Sequence, residues 1–208
     1  MIPEELNEIF KKYDHEDFDL SVTKIEYSPD ELRIVFSFES KIDQFDFNQN
    51  WELQVVGDRK NKISFDFGSA IRIVEDHPLL WEFKDTQCEL YFNGRCSNPA
   101  LLFVDLYKIH LDLFGSYKHF ETNTHAYNFY ALLQAENGML AQGPKKLLVK
   151  YAECIKNHGM DFSIIGERPP SYWNGKEYIR VAEDIKILFV TDTDGFIIAQ
   201  DFIFTRLD

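Results

Sequence analysis

Imidazole and carboxylate side chains occur close together just after the most apolar stretch of the chain. His119, Glu121 and His125 form the pattern H-x-E-x3-H, and His110 precedes them. These side chains are zinc ligands and the usual general acids and bases of hydrolases. The two histidines of the pattern are six residues apart, however, instead of the four that place two ligands on adjacent helical turns. We therefore predict no metal ion and no cofactor, and keep the four residues as catalytic candidates for an alternative function, a small metal-dependent or hydrolytic enzyme.

The apolar stretch 98–115 carries the start and stop signals of a helix. Asn98 can cap the helix, Pro99 suits a first turn that needs no amide donor, and Gly115 suits the exit. The sequence therefore predicts a helix over this stretch.

Polar residues of this predicted helix occupy a single stripe. At about 100° per residue, Asp105, Lys108 and Asp112 fall on one side and apolar residues fill the remaining circumference. This pattern predicts a central helix that is surrounded by protein on most sides. His110 lies opposite the stripe, which predicts a buried imidazole bonded to a backbone carbonyl.

Motifs for nucleophilic and phosphate chemistry are missing from the sequence. It contains neither G-x-S-x-G nor G-x-G-x-x-G nor G-x4-G-K-[ST]. Cys88, Cys96 and Cys154 cannot all pair within one chain, and their usage is typical of a reducing compartment. The first residues have neither a long apolar run nor a basic start. We therefore expect a cytoplasmic protein without a signal peptide or membrane span.

Two lysines stand at the start of a second predicted helix. Lys145 and Lys146 follow Gly143-Pro144, where the helix dipole disfavours positive charge. A bound phosphate or carboxylate would reverse this cost, which predicts an anion-binding site. The alternative is two solvated lysines, tolerated at a cost of a few tenths of a kcal/mol.

Negative charge is concentrated near the N-terminus. The chain has a net charge of −13, and residues 1–50 hold 13 acidic and 5 basic side chains. This field repels nucleic acid and anionic membranes and would steer a basic protein partner. Asp14, Glu16, Asp17 and Asp19 are the partner-binding candidates, and a merely solvated surface is the alternative.

A proline-bearing segment offers a second possible partner surface. Arg168, Tyr172 and Trp173 flank the pair Pro169-Pro170, and Arg, Tyr and Trp are enriched in interface hot spots. Trp173 could instead fold over the core.

The remaining elements predict one α+β domain, with a weak internal boundary near residue 95. Residues 3–13 form a short helix, and alternating apolar residues predict an antiparallel meander that packs on the central helix. The six segments of the meander are 20–27, 32–38, 51–55, 63–67, 71–73 and 88–92.

Three further elements follow the central helix. Residues 127–134 and 139–141 could close a hairpin around Glu136-Asn137-Gly138. The second helix ends at Gly159, and 185–190 and 196–204 form a C-terminal hairpin of interior strands.

The sequence favours a non-enzymatic protein-binding domain, of a regulatory or toxin-neutralising type, that engages a basic partner through its acidic N-terminal surface. The alternatives are the enzyme described above and a small-molecule carrier with a cavity lined by phenylalanine, of which the chain has 19. The sequence carries no signal for an oligomeric state.

Overall fold

The computed structural model describes residues 1–13, 16–28, 31–41, 48–63, 67–124, 129–180, 182–191 and 193–207. The chain has an α+β fold with several antiparallel sheets, which confirms the predicted fold class. Its contacts divide it into two compact units. Unit 1 comprises residues 1–77 and 184–208, and unit 2 comprises residues 78–183. Position 95 lies within unit 2, and the prediction of a single domain stays a prediction.

Unit 1 contains one helix and two antiparallel sheets among its described residues. Its elements are α1 (Glu4–Lys12), β1 (Phe18–Ser28), β2 (Glu31–Ser40), β3 (Asn48–Val56), β4 (Lys60–Lys62), β5 (Phe67–Gly68), β6 (Ile71–Val74), β12 (Lys186–Val190), β13 (Gly195–Ala199) and β14 (Asp201–Arg206). One sheet has the order β14-β3-β2-β1-β5 and the other has the order β4-β13-β12-β6.

The core of unit 1 follows directly from residue alternation. Along β2, Leu32, Ile34, Phe36 and Phe38 are buried on one face, as the period of two predicts. Leu6 of α1 belongs to the same apolar cluster, as do residues of both sheets. The predictions for α1, β1, β2 and β3 are confirmed.

The predicted six-stranded meander is wrong for its fifth and sixth segments, 71–73 and 88–92, which pair in other sheets. Most of its fourth segment, 63–67, lies outside the described residues. β1, β2 and β3 pair in succession, but β4 and β6 pair with the C-terminal strands β13 and β12. The predicted strand 196–204 is also divided at Gln200: β13 pairs in one sheet and β14 pairs with β3 in the other. Local alternation specifies a strand and its buried face, but the partner is chosen by contacts distant in sequence.

Unit 2 contains helices and a three-stranded sheet of order β8-β7-β9. Its elements are a 3-10 turn (Pro78–Leu80), α2 (Trp81–Lys84), β7 (Gln87–Asn93), α3 (Pro99–Phe114), a second 3-10 turn (Phe120–Thr122), α4 (Phe129–Gln134), β8 (Asn137–Pro144), α5 (Lys145–Asn157), β9 (Asp161–Arg168), β10 (Tyr172–Trp173) and β11 (Tyr178–Ile179).

Helix α3 has the predicted bounds but not the predicted environment. The Asn98 side chain caps it by accepting from the Leu101 amide at 3.1 Å, and Gly115 ends it with a φ of 54°. Burial follows one stripe, formed by Leu102, Leu106, His110 and Phe114. The expectation of a helix surrounded on most sides is therefore wrong.

The uncovered side of α3 carries large apolar residues. Elements of unit 2 that contact α3 include α4, α5 and the two 3-10 turns. These neighbours cover the buried stripe and its flanks and leave apolar side chains in solvent, namely Leu101, Phe103, Val104, Tyr107 and Leu111. We call these five residues the exposed α3 face.

The predicted hairpin around Glu136-Asn137-Gly138 is also wrong. Residues 127 and 128 lie outside the described residues, but 129–134 form α4, whose Leu133 is fully buried, and β8 pairs with β7. The chain does turn at this position, but the turn joins a helix to a strand instead of two strands. Helix α5 begins after Pro144 and ends before Gly159, as predicted.

Within the described residues, the structure shows no helix of sufficient length and apolar character to span a membrane.

Candidate functional site

His110 is buried in unit 2 with both ring nitrogens hydrogen-bonded. Nε2 lies 2.8 Å from the Lys118 carbonyl and Nδ1 lies 2.9 Å from the Tyr151 hydroxyl. Because a carbonyl only accepts, Nε2 carries the proton, and Nδ1 of the neutral ring accepts from Tyr151. Burial lowers the pKa of His110 and raises that of Tyr151. This is the satisfied core histidine that the sequence predicts, and its nitrogens are already used by the protein.

Two members of the H-x-E-x3-H pattern lie at the protein surface, whereas His110 is buried. His119 stands directly before the second 3-10 turn and Glu121 lies within it, and both are exposed. His125 lies outside the described residues. The four catalytic candidates therefore remain predictions.

A groove between α3 and α5 brings together three residues that the sequence analysis did not select. The His158 Nε2 lies 2.8 Å from the Asp105 Oδ2. One ligand atom each from Asp105, Cys154 and His158 lies within 4.8 Å of the other two. Among the described residues, this is the one group of three or more His, Cys, Asp and Glu side chains that could hold a metal ion.

Two helices position this cluster. Cys154 and His158 are four residues apart, so they share one face at the end of α5. His158 caps the helix, and Gly159 ends it with a φ of 77°. Asp105 belongs to the polar stripe of α3, which lines the groove with Lys108 and Asp112. The groove has a volume of about 450 Å³.

Cys154 does not have the properties of an activated nucleophile. Burial, followed by the charges of Asp105 and Cys96, raises the pKa of its thiol to about 11. Catalytic cysteines have a lowered pKa, because the thiolate is the nucleophile. The cluster therefore lacks the electrostatics of a Cys-His-Asp catalytic triad.

The start of α5 is occupied by carboxylates of the chain itself. The Lys146 amide donates to the Asp85 Oδ2 at 2.7 Å, and the Lys145 ammonium pairs with Glu167. These carboxylates take the positions in which the sequence predicted a bound anion. Binding of an external anion stays a prediction.

The proline-bearing segment forms an exposed aromatic hairpin. The rings of Trp173 and Tyr178, on β10 and β11, lie 5.2 Å apart, and the two residues are 57% and 65% exposed. Beside them lies a groove of about 400 Å³ lined by Arg168, Pro169, Ser171, Tyr178 and Arg180. Trp173 thus does not fold over the core. We call residues 168–180 the aromatic hairpin.

The acidic N-terminal candidates are only partly described. Glu16 is exposed, and Asp17 and Asp19 are half-buried. Asp19 pairs with Lys41 at 2.7 Å. Asp14 lies outside the described residues.

No family model, curated protein or solved structure matches the chain. The residues that come together in unit 2 could have been found in part from the sequence. The i, i+4 spacing of Cys154 and His158 on an amphipathic helix was a usable signal, whereas the approach of Asp105 depends on how two helices pack.

Proposed function

We propose that the chain is a non-enzymatic protein-binding domain whose main contact surface is the aromatic hairpin. One observation carries the proposal: Trp173 and Tyr178 are both exposed and hold their rings together, next to the arginine-lined groove. Aromatic residues and arginine dominate interface hot spots because they bury large areas and add directional polar contacts.

The charge of the hairpin indicates the chemistry of its partner. Residues 168–180 contain Arg168, Lys176 and Arg180 against Glu177, a net charge of +2 in a chain of −13. Arg168 is held near Glu89 at 3.7 Å, with 57% of its side chain exposed. Guanidinium groups bind carboxylates in a bidentate manner. This favours an acidic segment of a partner protein at the hairpin.

The acidic N-terminal surface is a second proposed contact. It would take a basic segment of the partner, and its long-range field would accelerate association more than it would strengthen binding. The evidence for the acidic surface is its net charge, whereas the evidence for the aromatic hairpin is its exposed aromatic residues.

The two alternative functions receive less support. An enzyme built on His110 would have to break two buried hydrogen bonds to free the ring nitrogens. For a carrier, the grooves beside α5 and the aromatic hairpin are lined by charged residues, without a phenylalanine in either lining.

The test begins with native mass spectrometry of protein isolated from cells, which identifies a co-purifying protein. The partner is then purified, and its affinity is measured by calorimetry for the wild type, Trp173→Ala and Tyr27→Ala. Tyr27 is the matched control, since it is 72% exposed on β1 of unit 1. We expect Trp173→Ala to weaken binding about 30-fold, the effect of a hot spot of about 2 kcal/mol. Tyr27→Ala should leave the affinity unchanged.

The proposal is wrong if Trp173→Ala and Tyr178→Ala both bind the purified partner as the wild type does. It is also wrong if the protein catalyses a reaction of the molecule that co-purifies with it.

A further inference from the structure

We propose that Asp105, Cys154 and His158 form a zinc-binding site in the groove between α3 and α5. This site is independent of the aromatic hairpin, and it replaces the expectation from the sequence that the protein binds no metal ion. The arrangement offers one carboxylate oxygen, one sulfur and one imidazole nitrogen. Sulfur and imidazole select zinc over magnesium or calcium, which prefer oxygen ligands.

The distances are compatible with zinc after a small movement. Zinc lies about 2.0–2.3 Å from its ligands, so tetrahedral ligand atoms lie about 3.3–3.8 Å from one another. The present separations are at most 4.8 Å, and the Asp105–His158 pair is 2.8 Å apart. Rotation of the side chains would close the larger gaps, and the hydrogen-bonded pair would open by about 0.5 Å.

The electrostatics of the groove favour a cation. Its charged lining residues are Asp105, Asp112, Glu153, Lys108 and Lys150, a net charge of −1. The C-terminal end of α5, where His158 stands, carries the negative end of the helix dipole. Zinc would displace the thiol proton of Cys154 to solvent, which leaves a zinc-bound thiolate and adds another negative charge at the metal. The proton that His158 Nε2 shares with Asp105 would move to Nδ1 as the ring changes tautomer, which frees Nε2 to bind zinc.

The site has an entry path and a vacant coordination position. Cys154 is 7% exposed and forms the inner side, whereas the Asp105 side chain is 44% exposed at the groove. Three protein ligands leave the fourth tetrahedral position to water, as in zinc sites that are open to solvent.

Cobalt(II) is the probe, since it takes zinc positions and reports its ligands by absorption. Reduced protein is freed of metal with a chelator, dialysed and titrated with cobalt(II). We expect one equivalent to bind, with visible bands of tetrahedral cobalt and a near-ultraviolet thiolate-to-cobalt band. One equivalent of zinc should abolish both signals.

Variants assign the ligands. Cys154→Ser should remove the near-ultraviolet band, and His158→Gln and Asp105→Asn should each weaken cobalt binding at least tenfold. Asp112→Asn is the matched control for Asp105→Asn, because it removes a carboxylate from the same helix and groove. It should change the affinity less than threefold. Cys88→Ala controls for the thiolate and should keep the band.

If Cys154→Ser does not fold, the half-exposed Asp105→Asn variant still tests the site. The proposal is overturned if the wild type shows no saturable cobalt binding. It is equally overturned if the thiolate band persists in Cys154→Ser, or if Asp112→Asn weakens binding as much as Asp105→Asn. In those cases Asp105 and His158 form only a hydrogen-bonded pair that joins α3 to α5.

Discussion

Units 1 and 2 place polar and apolar groups differently. In the described part of unit 1, the buried side chains are apolar except for Ser37. Among its described residues, unit 2 buries four that are polar or charged, His110, Lys118, Asn123 and Thr124, and also all three cysteines. It also exposes apolar residues on α3 and on the aromatic hairpin. The aromatic hairpin and the Asp105–Cys154–His158 cluster both lie in unit 2, whereas the acidic N-terminal candidates lie in unit 1.

The two units differ physically in whether buried polar groups must find hydrogen-bond partners. A polar group buried without a partner costs about 1–3 kcal/mol, so polar interiors require specific geometry. His110 meets this requirement with two partners, and Lys118 lies 3.6 Å from Glu82 and over the Phe114 ring. An apolar interior such as that of unit 1 requires only volume and pattern.

The largest change in stability is expected from substitutions in α3, which test whether one side of this helix is buried and the other exposed. Leu106→Asp places an unpaired charge at a fully buried position and should cost several kcal/mol, comparable with the whole stability of a domain. Leu111→Asp, on the exposed α3 face, should change the free energy of unfolding by about 0.5 kcal/mol. Urea unfolding followed by circular dichroism measures both.

If the two substitutions destabilise the protein equally, α3 is surrounded after all, and the contrast between the units disappears. Soluble expression of each variant gives the first indication.

The second prediction concerns acid sensitivity. Burial is the main cause that lowers the pKa of His110 below its ordinary value of 6.5. The unfolded chain therefore binds the proton more readily, so the free energy of unfolding should fall as the pH decreases below 6.5 toward the folded-state pKa. A urea series between about pH 7 and 5, above the carboxylate range, measures this slope. His110→Asn should flatten the slope.

His77 provides the comparison in unit 1. It stacks edge-on against Phe189 at 5.0 Å, and burial, then the charge of Arg72, lowers its pKa in the same direction. His77→Asn should remove its own part of the pH dependence and keep that of His110. A wild-type stability that rises toward pH 5 would contradict both assignments.

The third prediction tests the start of α5. Asp85→Ala removes the carboxylate that accepts from the Lys146 amide and should cost about 1 kcal/mol. Differential scanning fluorimetry with added phosphate then tests the predicted anion site. Phosphate should raise the melting temperature of Asp85→Ala more than that of the wild type, because the vacated position accepts an anion.

Glu121→Ala is the matched control, as it removes an exposed carboxylate from unit 2 outside α5. An equal response to phosphate in all three proteins would exclude Lys145 and Lys146 as an anion site.

The smallest effect on stability is expected at the acidic N-terminal surface. Neutralising Asp14, Glu16, Asp17 and Asp19 to Asn or Gln should change the free energy of unfolding by less than about 1 kcal/mol, because ion pairs that solvent can reach, such as Asp19–Lys41, contribute little. The rate constant of association with a basic partner should fall, and its dependence on salt concentration should weaken. The reason is that these charges attract the partner over about 8–10 Å, the Debye length near physiological salt. Stopped-flow association across a salt series measures both.

The control neutralises Asp112, Glu121, Glu136 and Asp161 of unit 2, for the same change in net charge. If the two variants associate at the same rate, net charge and not the N-terminal surface steers the partner.

The sequence determined many local elements of this protein, although not α4, and much of the buried surface of unit 1. Alternation in β2, the caps of α3 and the glycine after α5 are read from adjacent residues, because backbone preference and side-chain period are local properties. His110 was also predictable, since an imidazole within an apolar arc needs a nearby carbonyl.

Only the tertiary structure decided which elements meet. The pairing of β12 with β6 joins residues that are far apart in the chain, and so does the approach of Asp105 to Cys154 and His158. The exposed side of α3 likewise depends on which distant elements pack against the helix. An apolar residue carries the same local signal whether a neighbouring element covers it or not, and a carboxylate on a polar stripe carries the same signal beside water or beside a histidine. Such contacts are set by the packing of whole elements, which no short stretch of sequence encodes.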